Sequence, residues 1–171
     1  MDSLVNEDNA NYLNSTLRER IVEHLFVGKA LQWLWNHRVT DVEILRSEFD
    51  AGGYDLVMSH KKIVRHIQLK STLENGKAAN IKASLKLMDK PSGCIIWIFL
   101  TKDLEIVNYR WFGGDPYELL PDMGMKVAKH TKGNAKGIKT ERPQHRIIPK
   151  GRFDPPCSLD KIMEHLFGKL T

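Results

Sequence analysis

The spacing of apolar positions predicts a long helix near the start of the chain, followed by three strands. The helix is expected to run from Thr16 to about Asn36, and Thr16 and Glu19 have the spacing of a capping box. Strands are predicted at 42–48, 54–59 and 63–72. A double glycine precedes the second strand, and a tight polar turn at His60-Lys61 joins it to the third. The apolar face of the helix consists of Leu17, Ile21, Val22, Leu25 and Phe26.

The middle of the chain shows a second helical pattern and then an uninterrupted apolar run. Ile81, Leu85 and Met88 lie along one side of a helix predicted at 78–90, which Pro91-Ser92-Gly93 ends. The run CIIWIFL, residues 94–100, has no polar position, as expected of a central strand covered on both faces. A neighbouring strand is predicted at 104–109.

The last third is expected to be mostly loop, with a short strand near Ile147-Ile148 and a final helix at 158–170 that Ser158 caps. The helix carries one apolar stripe, which is either core or a dimer contact, and we favour core. Together the elements predict an α/β sandwich around a mixed sheet. The stripe consists of Leu159, Ile162, Met163, Leu166, Phe167 and Leu170.

Composition narrows the class of protein. A chain of 171 residues with 42% apolar content and no repeat or linker fits one domain, 1–171. Two cysteines, Cys94 and Cys157, argue against a disulfide framework and favour a reducing, cytoplasmic setting. The longest apolar run has seven residues, too few to span a membrane, and the acidic residues 1–11 do not resemble a secretory signal.

The charge is unevenly distributed. The chain carries +5 overall, whereas Lys126 to Arg152 holds nine Lys/Arg and one acid, Glu141, which gives +8. The remaining 17 basic and 20 acidic residues sum to −3. Such a concentration indicates either a polyanionic partner or a solvated loop that aids solubility, and charge alone does not separate the two.

Three polar side chains stand where the sheet should be apolar. Because strand side chains alternate, Gln68 and Lys70 share one face of the third strand, roughly 7 Å apart at their Cα atoms. Asp55 begins the preceding strand, and a hairpin would bring its carboxylate beside Gln68. Since a buried lysine needs a partner, the pattern predicts that Asp55 and Lys70 share a polar pocket. An ion pair at a sheet edge is the plainer alternative.

The set formed by GYDLV, IQLK and the preceding helix resembles the PD-(D/E)XK nuclease superfamily, which includes restriction endonucleases and Holliday-junction resolvases. The resemblance covers about residues 16–110. It implies a restriction-endonuclease-like αβββαβ core and a metal-dependent endonuclease that uses Mg²⁺ or Mn²⁺, with DNA as the expected substrate. The last third matches no motif of the superfamily. Gln68 stands where most members have an acid.

The resemblance also assigns roles. Asp55 becomes a metal ligand, together with the backbone carbonyl of Leu69 and the neutral amide oxygen of Gln68. Lys70 would lie near the attacking water or the scissile phosphate. An acid from the first helix would complete the site, and we favour Glu23 over Glu19.

Other polar residues near these strands are weaker candidates for the site. Glu48 and Asp50 could also approach the site, although exposed positions before a turn are the simpler expectation. His66 shares the face of Gln68 and is expected at the surface or behind the ligands.

Candidate contacts with nucleic acid follow from the spaced cations and glycines of the basic segment. Lys61 and Lys62 are expected to extend the groove beside the site. The aromatic residues of YRWFGG, 109–114, either stack on bases or, as we favour, pack between the sheet and the last helix. The cations of the segment that we select are Lys129, Lys132, Lys136, Lys139, Arg142 and Arg146.

Two other functions compete with a nuclease. One is a nuclease-fold module that binds nucleic acid without efficient chemistry, and the other is an assembly protein with an acidic partner. A homodimer is plausible because cutting both strands of a duplex usually takes two sites. No membrane partner is expected.

Overall fold

A computed structural model describes residues 14–49 and 51–170. Residues 1–13, Asp50 and Thr171 lie outside the described residues, so the interpretation of residues 1–11 stays a prediction. The chain divides into two compact units, 1–40 and 41–171, each of which is treated by itself below. The expectation of one domain likewise stays a prediction.

The first unit contains the helix α1 (Ser15–Asn36), which confirms the predicted helix. The capping box is wrong, because Asn14 occupies the cap position and Thr16 lies inside the helix. The helix is apolar on two opposite sides, of which one is exposed and includes Leu17 and Trp35. Its buried stripe consists of Val22, Glu23, Phe26, Ala30 and Leu34.

The second unit is built mainly from strands. In chain order these are β1 (Val42–Arg46), β2 (Leu56–His60), β3 (Ile63–Leu73), β4 (Asn80–Ser84), β5 (Gly93–Leu100), β6 (Ile106–Gly113), β7 (Val127–Lys129) and β8 (Glu141–Pro149). A helix, α2 (Leu159–Phe167), follows them, and short 3₁₀ helices span Leu85–Asp89 and Lys150–Arg152.

Five strands form a mixed sheet in the order β1-β2-β3-β5-β6. β3 and β5 run parallel, and the other neighbours are antiparallel. Every residue of β5 is buried, which confirms that CIIWIFL is an interior strand covered on both faces, although β3 is the middle strand of the sheet. Burying each of its large side chains contributes about 1.5–3 kcal/mol, so β5 anchors the sheet. The α/β class with a mixed sheet is therefore confirmed.

The helix predicted at 78–90 is wrong. The segment forms β4 and then the 3₁₀ helix Leu85–Asp89. Ile81 and Ala83 are both buried with Lys82 between them, so the apolar positions follow the period of a strand rather than of a helix. Pairing of β4 with β8 supplies the backbone hydrogen bonds that settle the choice.

A second sheet, in the order β4-β8-β7, covers one face of the first. Its Ile81, Ala83 and Ile148 pack in one core with Ile95 and Trp97 of β5. The basic segment was expected to be mostly loop with a short strand near Ile147-Ile148. That strand is confirmed, but it extends back to Glu141 and pairs with β7, because strand pairing satisfies the backbone groups of both arms.

Helix α2 packs on β6, on the opposite face of the five-stranded sheet. Its Ile162, Met163, Leu166 and Phe167 are buried, so the apolar stripe is core within the described chain. Ser158 takes the cap position, as predicted, without a capping hydrogen bond from its side chain.

Arg65 of β3 ties α2 to the sheet. Its side chain is fully buried and donates hydrogen bonds to carbonyl oxygens of Leu166 (2.9 Å), His165 and Gly114 (3.1 Å). Burial lowers the pKa of this guanidinium, while nearby acidic groups oppose the shift. The carbonyl dipoles at the C-terminal end of α2 therefore stabilise a buried cation.

The aromatic run 109–114 also packs as favoured from the sequence. Tyr109, Trp111 and Phe112 are buried, and the Trp111 ring stacks on His165 of α2 with centroids 4.9 Å apart. Since these rings fill the core, they are not available to stack on bases. No helix in the described part of the chain is long and apolar enough to cross a membrane.

Candidate active site

The double glycine bends the chain immediately before Asp55. Gly52 and Gly53 are both buried, and Gly53 has φ of +73°, a conformation that side chains disfavour. A Cβ on Gly53 would lie 3.0 Å from the Cβ of Ser84 and 3.2 Å from the backbone nitrogen of Leu87. Glycine is therefore required for the chain to pass the 3₁₀ helix and deliver Asp55 to the start of β2.

The backbone of Asp55 is held between two strands, and its carboxylate lies against β3. The Asp55 amide donates to the carbonyl of Ile67 (2.9 Å), while its own carbonyl accepts from Ser47 (3.1 Å). Its Oδ2 accepts from the backbone N–H of Leu69 at 2.6 Å and from Nε2 of Gln68 at 3.3 Å. Both of these hydrogen bonds favour the ionised carboxylate.

Gln68 and Lys70 lie on the same face of β3, as the alternation predicts. In the parallel pairing with β5, Gln68 is opposite Ile95 and Lys70 is opposite Trp97. Gln68 is 8% exposed, whereas Lys70 is half-buried. The structure thus brings Asp55 and Gln68 into contact and places Lys70 two residues further along the same face.

The described chain gathers few oxygen atoms that could hold a metal ion beside Asp55. Asp55 supplies one carboxylate, and within residues 14–49 and 51–170 no group of three or more His, Cys, Asp or Glu side chains is gathered for a metal. The Leu69 carbonyl points to the same side of β3 as the Leu69 N–H that contacts Asp55, because both backbone groups of a strand residue point to one side. Mg²⁺ is commonly held by one or two carboxylates, with waters and substrate phosphate completing the shell.

Gln68 needs to move before it can bind a metal ion. Its amide nitrogen is the end that faces Asp55. A cation next to Asp55 requires the amide to rotate by about half a turn so that its oxygen faces the ion. The rotation costs the hydrogen bond to Asp55, about 0.5–1.5 kcal/mol, which a metal–oxygen bond can offset.

The remaining candidates for the site differ in exposure and in their own contacts. Glu23 is buried at 6% exposure on α1 and accepts a hydrogen bond from Arg20 at 3.0 Å, whereas Glu19 is exposed. The role of Glu23 in the site stays a prediction. Glu48 is exposed, and Asp50 lies outside the described residues. His66 approaches the carbonyl of Pro91 with Nδ1 (2.7 Å) and contacts Tyr54 edge to face.

Lys61 and Lys62 are not brought to the site. They form the turn at the far end of β2, and Lys61 is six residues from Asp55, roughly 20 Å along an extended strand. The expectation that they lie beside the site is therefore wrong, because the hairpin points them the other way. Their contact with nucleic acid stays a prediction.

The cations of the basic segment differ in what they contact. Lys129, Lys132, Lys136 and Lys139 are exposed. Arg142 and Arg146 are half-buried and hold a bulge in β8: Arg142 contacts Nε2 of His145 (2.9 Å), and Arg146 donates to the carbonyl of Pro143 (2.7 Å). The two arginines therefore have a structural role besides any contact with phosphate.

Two further cations join the face that carries Lys70, and sequence reasoning had not singled them out. Arg110 is opposite Trp97 in the pairing of β5 with β6, so the row across the sheet reads Lys70, Trp97, Arg110. The ammonium of Lys150 lies 5.6 Å from the ring centroid of Trp97 and 5.3 Å from that of Phe99. Only the strand register reveals this row, since it depends on how β3, β5 and β6 align.

No protein-family model matches the chain, and no curated protein matches its sequence.

Proposed function

We propose that the protein is a Mg²⁺-dependent endonuclease of the PD-(D/E)XK type that hydrolyses phosphodiester bonds in DNA. The observation that carries the proposal is the Asp55 carboxylate, which accepts hydrogen bonds from Leu69 and Gln68 on the strand that also bears Lys70. The D…Q-x-K pattern predicts a pocket that Asp55 and Lys70 share, and the contact of Asp55 with Gln68 supports that prediction. The order of one helix, three antiparallel strands and a later strand, β5, that runs parallel to β3 supports the proposal as well.

The proposed core departs from αβββαβ at one element. Between β3 and β5, β4 and a 3₁₀ helix take the place of the superfamily's helix. The connection still returns the chain so that β3 and β5 are parallel neighbours, which is what places Gln68 and Lys70 beside β5. The change therefore affects the layer that covers the site rather than the strands that carry it.

The chemistry assigned to the chain's own residues is hydrolysis. Water attacks phosphorus and gives up a proton, the bond to the leaving oxygen breaks, and that oxygen gains a proton. Lys70 stabilises the charge that develops on the phosphate and orients the attacking water. Asp55, already held by two hydrogen bonds, keeps a negative charge where the metal ion would sit, and Arg110 and Lys150 hold neighbouring phosphates. When bound, Mg²⁺ neutralises the phosphate and lowers the pKa of water.

Substitution of the site residues tests the enzyme. Asp55→Asn and Lys70→Ala are expected to lower the rate of Mg²⁺- or Mn²⁺-dependent cleavage of plasmid and linear duplex DNA by at least about 10²-fold, because each removes charge stabilisation of the transition state. Asp103→Asn and Lys102→Ala, in the exposed turn between β5 and β6, are the matched controls and should cut like the wild type. Equal cleavage by Asp55→Asn and the wild type would exclude this site.

The second candidate is a nuclease-fold module that binds nucleic acid without cutting it. The neutral Gln68, where an acid would hold the metal more tightly, favours this alternative. In that case neither the wild type nor any variant cleaves DNA or RNA with either metal ion, while the wild type and Lys70→Ala bind nucleic acid equally.

A further inference from the structure

The strands β7 and β8 continue beyond the body of the second sheet as a two-stranded ribbon. We define the basic ribbon as residues 127–142, in which β7 pairs with the start of β8 and His130 donates its backbone N–H to the carbonyl of Thr140 (2.9 Å). Every residue from 129 to 141 is exposed. The ribbon thus projects from the sheet that covers the Lys70 face of the five-stranded sheet.

The tip of the ribbon is a turn that hydrogen bonds to Asn134 hold together. The side-chain oxygen of Asn134 accepts from the backbone N–H groups of Lys136 (2.9 Å) and Ile138 (3.0 Å), and the Gly137 amide donates to the Asn134 carbonyl (2.8 Å). Gly133 lies so close to Gly137 that a Cβ on it would be 2.6 Å from the Gly137 carbonyl carbon. Such a turn presents its side chains in a set geometry and loses little entropy on binding.

The side chains on the ribbon favour a duplex over a single strand. Lys129, Lys136 and Lys139 offer charges to phosphates. Residues 126–152 contain no Phe, Tyr or Trp, and their only aromatic rings are the smaller imidazoles of His130 and His145, so the segment offers little surface on which an unpaired base could stack. Ile138, at the tip between two of the lysines, is 59% exposed and suits apolar contact with a base edge such as the thymine methyl group.

We propose that the basic ribbon enters the major groove of double-stranded B-form DNA and so makes duplex DNA the substrate class of the proposed nuclease. The major groove, about 12 Å wide, admits a two-stranded β-ribbon, whereas the corresponding groove of A-form RNA is too narrow. Lysines on both arms then lie along the two phosphate backbones, and Ile138 lies against the base edges. This inference rests on the proposed function for the partner being nucleic acid.

Binding without cleavage separates the ribbon from the catalytic site. Asp55→Asn protein in EDTA would be titrated with a fluorescent DNA duplex, its separated single strands and an RNA duplex of the same sequence. We expect at least about tenfold tighter binding to the DNA duplex. Replacing Lys129, Lys136 and Lys139 together by Gln should reduce the slope of log affinity against log salt by about 2–3, since each phosphate contact contributes about 0.9. The matched control replaces the exposed lysines Lys77, Lys102 and Lys169, which lie outside the proposed contacts, by Gln and should keep the wild-type slope.

Competitors identify the groove. Methyl green, which occupies the major groove, should displace the protein, whereas netropsin in the minor groove should not, and Ile138→Ser should weaken binding to the duplex alone. Four outcomes overturn the ribbon proposal. They are tight binding to single strands or to duplex RNA, an unchanged salt slope in the triple variant, competition by netropsin, and the absence of all binding. Duplex binding by this pattern together with a wild type that never cleaves DNA overturns the nuclease and leaves the ribbon in place.

Discussion

At the scale of single residues, the contact between Asp55 and Gln68 is what distinguishes this site. A carboxylate and an amide share a hydrogen bond at 3.3 Å where two carboxylates would repel each other. In the proposed metal site, a neutral amide at this position would attract a cation less than a carboxylate would, because it supplies an oxygen but no charge.

Replacing Gln68 by Glu tests how the charge of this side chain affects the stability of the protein and its affinity for Mg²⁺. The second carboxylate repels Asp55, so the melting temperature in EDTA should fall below that of the wild type, and added Mg²⁺ should raise it more than it does in the wild type. Thermal unfolding followed by circular dichroism, with and without Mg²⁺, measures both effects. Gln68→Met is the uncharged control, and Mg²⁺ should raise its melting temperature no more than that of the wild type. A Gln68→Glu protein whose melting temperature does not respond to Mg²⁺ would mean that no metal binds beside Asp55.

At the scale of elements, the site depends on the close approach of the Gly52-Gly53 bend to the 3₁₀ helix Leu85–Asp89. Two features exclude a side chain at Gly53: its φ is positive, and an added Cβ would lie very close to Ser84. The bend sets where β2 starts and therefore where Asp55 lies relative to β3. A change at Gly53 should thus alter both the stability of the fold and the position of Asp55.

Gly53→Ala is expected to cost about 2–4 kcal/mol of unfolding free energy, from backbone strain and from crowding against Ser84. Gly137→Ala is the matched control, because Gly137 has the same φ of +73° but a methyl group added there would meet no atom within 4 Å. It should cost only about 1–2 kcal/mol. Urea denaturation of both variants measures the difference, and equal losses would show that the contact with Ser84 contributes nothing.

At the scale of the whole molecule, the five-stranded sheet lies between the second sheet and α2, and its two faces carry different residues. One face carries Gln68 and Lys70, and the other buries Arg65, Trp111 and the apolar side of α2. Arg65 and Lys70 are both on β3. The same strand therefore supports the packing of α2 on one face and the position of Lys70 on the other.

The interface with α2 should make stability depend on pH. Burial against Trp111 lowers the pKa of His165 from its ordinary 6.5, with Asp154 at 3.4 Å opposing the shift. A depressed pKa means that the unfolded chain takes up the proton first, so this contribution to stability is present above about pH 6.5 and declines as the pH falls toward the folded-state pKa. Urea denaturation between about pH 7.5 and 5 should show the decline. His165→Gln should flatten it, whereas an identical pH profile in that variant would assign the effect to other groups.

Several features of the fold were predictable because they are local. The β5 run, the α2 stripe and the hairpin of β2 and β3 follow from periodicity, which burial enforces directly. The segment 78–90 was not predictable in this way, because Ile81, Leu85 and Met88 fit a helix while Ile81 and Ala83 fit a strand. Only the pairing of β4 with β8 decides between them. The lysines Lys61 and Lys62 were misplaced for a related reason, since their closeness in sequence to Asp55 hides the direction of the hairpin.

By itself, the sequence determined which residues could share a face: Asp55 after the double glycine, Gln68 and Lys70 two apart on a strand, and nine cations gathered in one segment. The tertiary structure decided how separate strands align. It set the contact of Asp55 with Gln68, the row of Lys70, Trp97 and Arg110, and the ribbon formed by β7 and β8. Periodicity is a property of neighbouring residues, whereas register depends on hydrogen bonds between segments distant in the chain.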